Sequence, residues 1–317
     1  MLKIERRLFR SLVALSLAFL LAIGNVTCFA DTERPDKNKA VSHNRPAYKE
    51  GELLIKFKDG TSSQRMSAFS SVNGLKHVES FDSMNIGLYT IKSGKSMSKA
   101  IKALEDNDEI EYVQLNYLYY PAEIPAGEYR SLWGMDAIDA PEAWNITQGS
   151  GDIVVAVIDT GADRSHPDLK DRMWENHGET GRDSNGERKD GNKKDDDGNG
   201  YIDDAYGWNF SKADKDYPGN NSVYDDEYDD EHGTHVAGTI ASSANGTGLV
   251  GVAPGVKIMP VKFIRSDGYG TTAGALNAIN YAKRMGADII NASWGGPSEG
   301  GSSDTLLEEA IEASGIL

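Results

Sequence analysis

Ile153-Val-Val-Ala-Val-Ile158 is an unbroken apolar run set between Gly151-Asp152 and Asp159. A run of that length, bounded by turn residues, predicts a strand buried on both faces. Similar runs at 257–263 and 287–292 predict two more strands, and the stretches 232–242 and 272–285 read as helices. Strands alternating with helices predict an α/β domain built on a mostly parallel, doubly wound sheet, with its chemistry at the carboxyl ends of the strands. The N-terminal half has another rhythm. Residues 52–58 alternate as at a sheet edge, 62–71 read as a helix, 77–81 and 86–91 as strands, and 110–115 as a strand. Between them 96–105 places Met97, Ala100, Ile101 and Leu104 at helical spacing. The order β-α-β-β-α-β is the ferredoxin-like arrangement, an α+β unit ahead of the α/β one. The acidic stretch 304–313 reads as a further helix, and Ile316-Leu317 as the first residues of the next buried strand.

Composition adds an address. Residues 1–10 are basic, 11–23 are an apolar core too short to span a bilayer comfortably, and 27–30 end in Ala30. That is the pattern of a secretory signal at 1–30, which places the protein outside the cell with no stable membrane association after cleavage. Residues 31–47, with Pro35 and Pro46, read as a linker. Cys28, the single cysteine, leaves with the leader. A secreted chain without disulfides needs another staple, and a bound metal is the obvious one. The net charge of -16 excludes a general affinity for nucleic acid.

The acid is clustered at 225–231 and 195–197. Asp195, Asp197, Asn199 and Asp203 fall at positions one, three, five and nine of a loop with Gly200 at six. That is the first half of an EF-hand spacing and suits calcium. Tyr206 stands where the closing acid belongs, so another residue must complete the shell; a solvated acidic loop is the competing reading. Asp214 with Asp216 is a weaker cation candidate. Zinc is disfavoured, because the histidines lack a paired-ligand spacing. The sharpest chemistry is Asp159 at a strand end and His232 opening a helix. An imidazole backed by a carboxylate is two thirds of a Ser-His-Asp device, in which the imidazole takes the proton of a weakly nucleophilic hydroxyl.

Asp159-Thr-Gly, His232-Gly-Thr-His-Val-Ala-Gly, Gly251-Val-Ala-Pro254 and Ser293-Trp-Gly-Gly-Pro297 resemble, in order, the motifs of the subtilisin family of serine proteases. The resemblance implies a secreted serine endopeptidase made as a zymogen and stabilised by calcium. It implies that Asp159 orients His232 as general base; helix geometry adds that His235, one turn on, faces the interior, since residues three apart share only part of a helix face. Residues 48–121 would be the inhibitory, folding-assisting pro-domain, with 117–121 lying in the cleft, and 126–317 the N-terminal part of the catalytic domain, opening with a helix at 133–144. Gly268, Gly270, Ser293, Trp294 and Gly295 would flank a cleft that binds peptide substrates by strand addition. Trp294 would line an apolar subsite or simply fill the core. Asp168 and the Asn245 side chain, with carbonyls of Ser243, Thr247 and Leu249, would match the family's strong calcium site. The family's nucleophile motif does not follow: the sole Gly-Thr-Ser is Gly60-Thr61-Ser62. The chain is therefore expected to stop before the catalytic serine, to be monomeric, and to be inactive as given. The alternative is a non-catalytic inhibitor or chaperone of another protease, or a pseudoprotease.

Overall fold

A computed structural model describes residues 47–92, 96–105, 107–121, 133–211, 219–245, 249–296 and 304–316. The expected leader, all of the linker but Ala47, Asp214, Asp216 and Thr247 lie outside the described residues.

The N-terminal elements are β1 (Tyr48–Phe57), α1 (Ser63–Asn73), β2 (Leu75–Phe81), β3 (Ile86–Ile91), α2 (Met97–Glu105) and β4 (Ile110–Pro121). Their strands form an antiparallel sheet in the order β4-β1-β3-β2. Strand β1 is thus central, where its alternation suggested an edge. It pairs with β3 along one edge and β4 along the other, and both its faces are covered. Leu53, Ile55 and Phe57 pack with Met66, Phe69 and Leu104 of the two helices, while Leu54 between them joins a second cluster on the opposite face. Ser62, from the lone Gly-Thr-Ser, accepts a hydrogen bond from the Arg65 amide at 3.3 Å and caps α1.

The C-terminal elements begin with α3 (Trp133–Ala137) and α4 (Ala140–Trp144). The single expected helix is split, because Asp139 takes a left-handed φ of 55° immediately before Ala140 and Pro141. Then come β5 (Val154–Asp159), β6 (Trp208–Asn209), α5 (Glu231–Ala241), β7 (Lys257–Lys262), β8 (Gly270–Thr271), α6 (Thr272–Arg284), β9 (Ile289–Asn291), β10 (Trp294–Gly295) and α7 (Thr305–Ser314). Strands β6-β7-β5-β9 form a wholly parallel sheet. Successive residues of β5 point to opposite faces. Val155 and Val157 pack with Ala237 and Ala241 of α5; Ala156 and Ile158 pack with Ala275, Leu276 and Ile279 of α6. Helices cover both faces, as the alternation predicts. The second face of the N-terminal sheet rests on α6 and α7: Leu54, Ile86 and Leu88 share a cluster with Leu276, Ile279, Leu306 and Ala310. Helix α7 ends at Gly315, φ 66°, and Ile316 beyond it packs on the same cluster outside any assigned strand.

Candidate active site

Asp159 is the last residue of β5 and fully buried. His232 is the second residue of α5. Its ring Nδ1 lies 2.7 Å from Asp159 Oδ1, which also accepts the Thr160 amide at 2.6 Å. A carboxylate at Nδ1 holds the proton there and leaves Nε2 for proton transfer. The approach of α5 to the strand end depends on two glycines. A Cβ on Gly233 would fall 2.0 Å from the Gly161 carbonyl oxygen, and the Gly233 amide donates to Thr160 Oγ1 at 2.9 Å. Gly233, Ala237 and Ala241 form the buried face of α5. His235 stands across the helix from that face and is exposed, which overturns its expected interior position.

Beneath the pair lies a charge system that spacing did not reveal. Lys262 ends β7 opposite Asp159 and is 1% exposed. Its ammonium donates to the Thr160 carbonyl and to the Asp230 carboxylate, with Asp225 Oδ2 at 3.3 Å. Asp230, also fully buried, accepts the amides of Asp225 and, at 3.2 Å, Asp226. Burial pushes the Asp230 carboxyl above its ordinary range, and the hydrogen bond from Lys262 pulls it back. One lysine therefore ties the residue after Asp159 to the turn that launches α5.

The end of β4 runs between two walls. Leu118 and Tyr119 pair antiparallel with Thr271 and Gly270 of β8; Tyr120 and Pro121 pair with Gly295 and Trp294 of β10. The expected strand at 110–115 is thus the first half of a longer one whose second half changes partners. Of the residues expected to flank a cleft, Gly270, Trp294 and Gly295 pair with the tail. Gly268 instead forms a turn, φ 87°, with its amide on the Arg265 carbonyl at 2.8 Å. The Ser293 hydroxyl donates to Asn291 Oδ1 at 2.9 Å. Trp294 is half-buried. Its Nε1 donates to the Ile158 carbonyl at 2.7 Å, and its ring meets Phe263 at 4.8 Å and Tyr119 at 4.9 Å.

The acidic loop is organised differently from an EF-hand. Asp195 accepts the amides of Gly198, Asn199 and Gly200 at 2.7, 3.0 and 2.8 Å. Asp203 accepts the Lys193 amide on both oxygens, at 3.2 and 3.0 Å. Both carboxylates shape the loop. Asp197 converges instead with Glu179 and Asp204, one oxygen from each lying within 4.8 Å of the others. Glu179 and Asp204 are fully buried, and burial pushes both carboxyls up. Asn176 Nδ2 donates to Asp197 and Asp204 at 2.9 and 2.8 Å, Asn199 Nδ2 to the same two at 3.2 and 3.1 Å, and Tyr281 to Asp204 at 2.8 Å. Glu179 Oε1 accepts the amides of Asp196 and Asp197 at 2.5 and 3.0 Å; its Oε2 is buried and unpartnered. An orphaned carboxylate oxygen among oxygen donors suits a hard cation. Elsewhere Asn245 Nδ2 donates to Asp168 Oδ1 at 2.8 Å, so that expected pair does meet; Leu249 is exposed.

Comparison with known proteins gives the same reading. The Subtilase family profile matches residues 150–316, and that of the fervidolysin N-terminal prodomain matches 34–116. A thermophilic serine proteinase of Bacillus sp. (strain AK1) is 29% identical over 313 residues, covering 96% of this chain and 67% of that protein. An intracellular serine protease of Paenibacillus polymyxa is 36% identical over 184 residues, covering 58% and 45%. The crystal structure of fervidolysin from Fervidobacterium pennivorans, described as a keratinolytic enzyme related to subtilisin, superposes with a TM-score of 0.57 at 25% identity, covering 86% of this chain and 39% of that one. The chain thus spans about half to two thirds of the two curated relatives. The family profile spans more than half of the chain and contains the strand of Asp159 and the helix of His232, and the chain belongs to the subtilase family of serine endopeptidases.

Proposed function

We propose that this protein is a secreted subtilisin-type endopeptidase made as a zymogen, in which Asp159 orients His232 and His232 is the general base. The observation that carries the reading is the 2.7 Å contact between Asp159 Oδ1 and His232 Nδ1; the pairing of the β4 tail with β8 and β10 supports it. With Nδ1 held by the carboxylate, Nε2 is free to take the proton of a serine hydroxyl and later return it to the leaving amine. Substrate would enter as an extended strand between β8 and β10, held by main-chain hydrogen bonds as the tail of β4 is. No Gly-Thr-Ser motif follows His232 in the 317 residues. The residues present fit calcium: Glu179, Asp197 and Asp204 would hold one ion, and Asp168 with Asn245 would contribute to another. Calcium there would neutralise buried charge and brace the loops around the parallel sheet. The basic and apolar leader supports export.

Two measurements test the reading. The first is the coding DNA beyond the codon for Leu317. An in-frame Asn and Gly-Thr-Ser motif supports the endopeptidase; a stop codon there supports the inhibitor or chaperone alternative. The second is hydrolysis of a chromogenic peptide by the purified 317-residue chain. The expected rate is at background. Robust cleavage that vanishes in both Asp159→Ala and His232→Ala would show that this chain supplies its own nucleophile and would overturn that part of the proposal.

A further inference from the structure

Tyr119 sits in a pocket of unusual chemistry for an apolar cleft. Its ring meets Trp294 edge-on at 4.9 Å, and the residue is only 8% exposed. Its hydroxyl donates to Oδ2 of Asp304. Asp304 is the N-cap of α7, accepting the Leu307 amide at 3.0 Å on Oδ1. Thr272 Oγ1, at the first residue of α6, donates to Oδ2 at 2.7 Å, and Gln114 Nε2 donates to Oδ1 at 2.6 Å. The carboxylate is therefore held by α6 and α7 of the α/β domain and by Gln114 of β4 itself. It waits at the floor of an aromatic-walled pocket, where an occupant without a hydroxyl leaves Oδ2 one donor short.

We propose that Asp304 is a specificity-determining residue: the pocket now holding Tyr119 selects tyrosine, over phenylalanine or leucine, in extended peptides laid between β8 and β10. This deepens the protease reading and rests on it, because the tail of β4 stands in for substrate. An aromatic wall accepts tyrosine and phenylalanine alike. Discrimination between them comes from a half-buried carboxylate oxygen that loses one of its two donors and keeps only Thr272, and sites built to bond a hydroxyl reject the analogue lacking it more strongly than apolar pockets reject a missing methylene.

The experiment uses the full 317-residue chain and follows amide hydrogen exchange of segments 115–121 and 268–272. Four proteins are compared: the parent, Tyr119→Phe, Asp304→Asn and the double variant. Asn retains a cap for α7, and Phe retains the ring packing. The expected result is a loss of protection in both segments of roughly tenfold in each single variant, with a loss in the double well below the product of the two, because the Tyr119–Asp304 bond is shared by both changes. Protection in Tyr119→Phe within twofold of the parent, or single effects that simply multiply in the double, would overturn the assignment. Absence of protection in the parent itself would instead remove the premise that the tail occupies the cleft, and with it this assignment, while the protease reading stands on Asp159 and His232.

Discussion

Lys262 places a full charge at a position with 1% exposure, on the strand next to Asp159. Removing an ion from water costs several kcal/mol, and the partner must offset it. Here the partner is Asp230, whose other oxygen is committed to the amides of Asp225 and Asp226. Each charge is therefore tolerable only with the other. Lys262→Met alone should destabilise the chain by about 3–5 kcal/mol, because it strands a buried carboxylate. Adding Asp230→Asn, which removes that charge while keeping an acceptor for the two amides, should recover most of the loss. Urea unfolding of the parent, the single and the double variant checks this. A single variant within about 1 kcal/mol of the parent would show that the turn ahead of α5 is held by something else.

Between elements, the contact of β2 with α6 carries a pH signature. Glu79 accepts a hydrogen bond from Asn277 at 3.0 Å, and burial pushes its carboxyl above the ordinary glutamate value. A raised value means that the folded state binds the proton more readily than the unfolded one. Stability from this group is present below the ordinary value of 4.5 and is lost as pH rises through the raised one. Glu79→Gln should therefore raise the melting temperature at pH 7 by ~2 °C or more and flatten the dependence between pH 4 and 6. An unchanged or lowered melting temperature at pH 7 would contradict the sign. The elements themselves were largely legible, because apolar runs and helical spacing follow directly from burial on one or two faces. The centrality of β1 was not, since side-chain alternation reports the two faces of a strand and not which strands pair along its edges. The meeting of Asp159 with His232 was legible because both sit in short local motifs. The convergence of Glu179 and Asp204 with Asp197 was not, because loop spacing reports which carboxylates are neighbours in sequence and not which way a loop turns them. Asp195 and Asp203 spend their oxygens on the loop's own amides. Lys262 and Asp304 carried no signal beyond a buried strand end and a helix cap.

Across the whole molecule, a net charge of -16 and a single cysteine, which cannot form a disulfide within the chain, favour bound cations as a brace. With calcium at a hundredfold excess over its dissociation constant, native-state binding adds about 2.7 kcal/mol. A chelator should lower the melting temperature of the parent chain. Glu179→Gln, which removes the charge of the orphaned oxygen, should lessen the calcium response, leaving any part due to Asp168 and Asn245. A melting temperature indifferent to both chelator and added calcium would reject the cation sites. The unbroken course of β4 has a last consequence, one of local concentration. Its first half is paired with β1 and its second half lies between β8 and β10. The tail is thus tethered at an effective concentration that short linkers set in the millimolar range. A free peptide of equal affinity would have to approach that concentration to displace it. Occupancy of the cleft is then governed by the covalent and sheet connection of the tail as much as by how well its side chains fit.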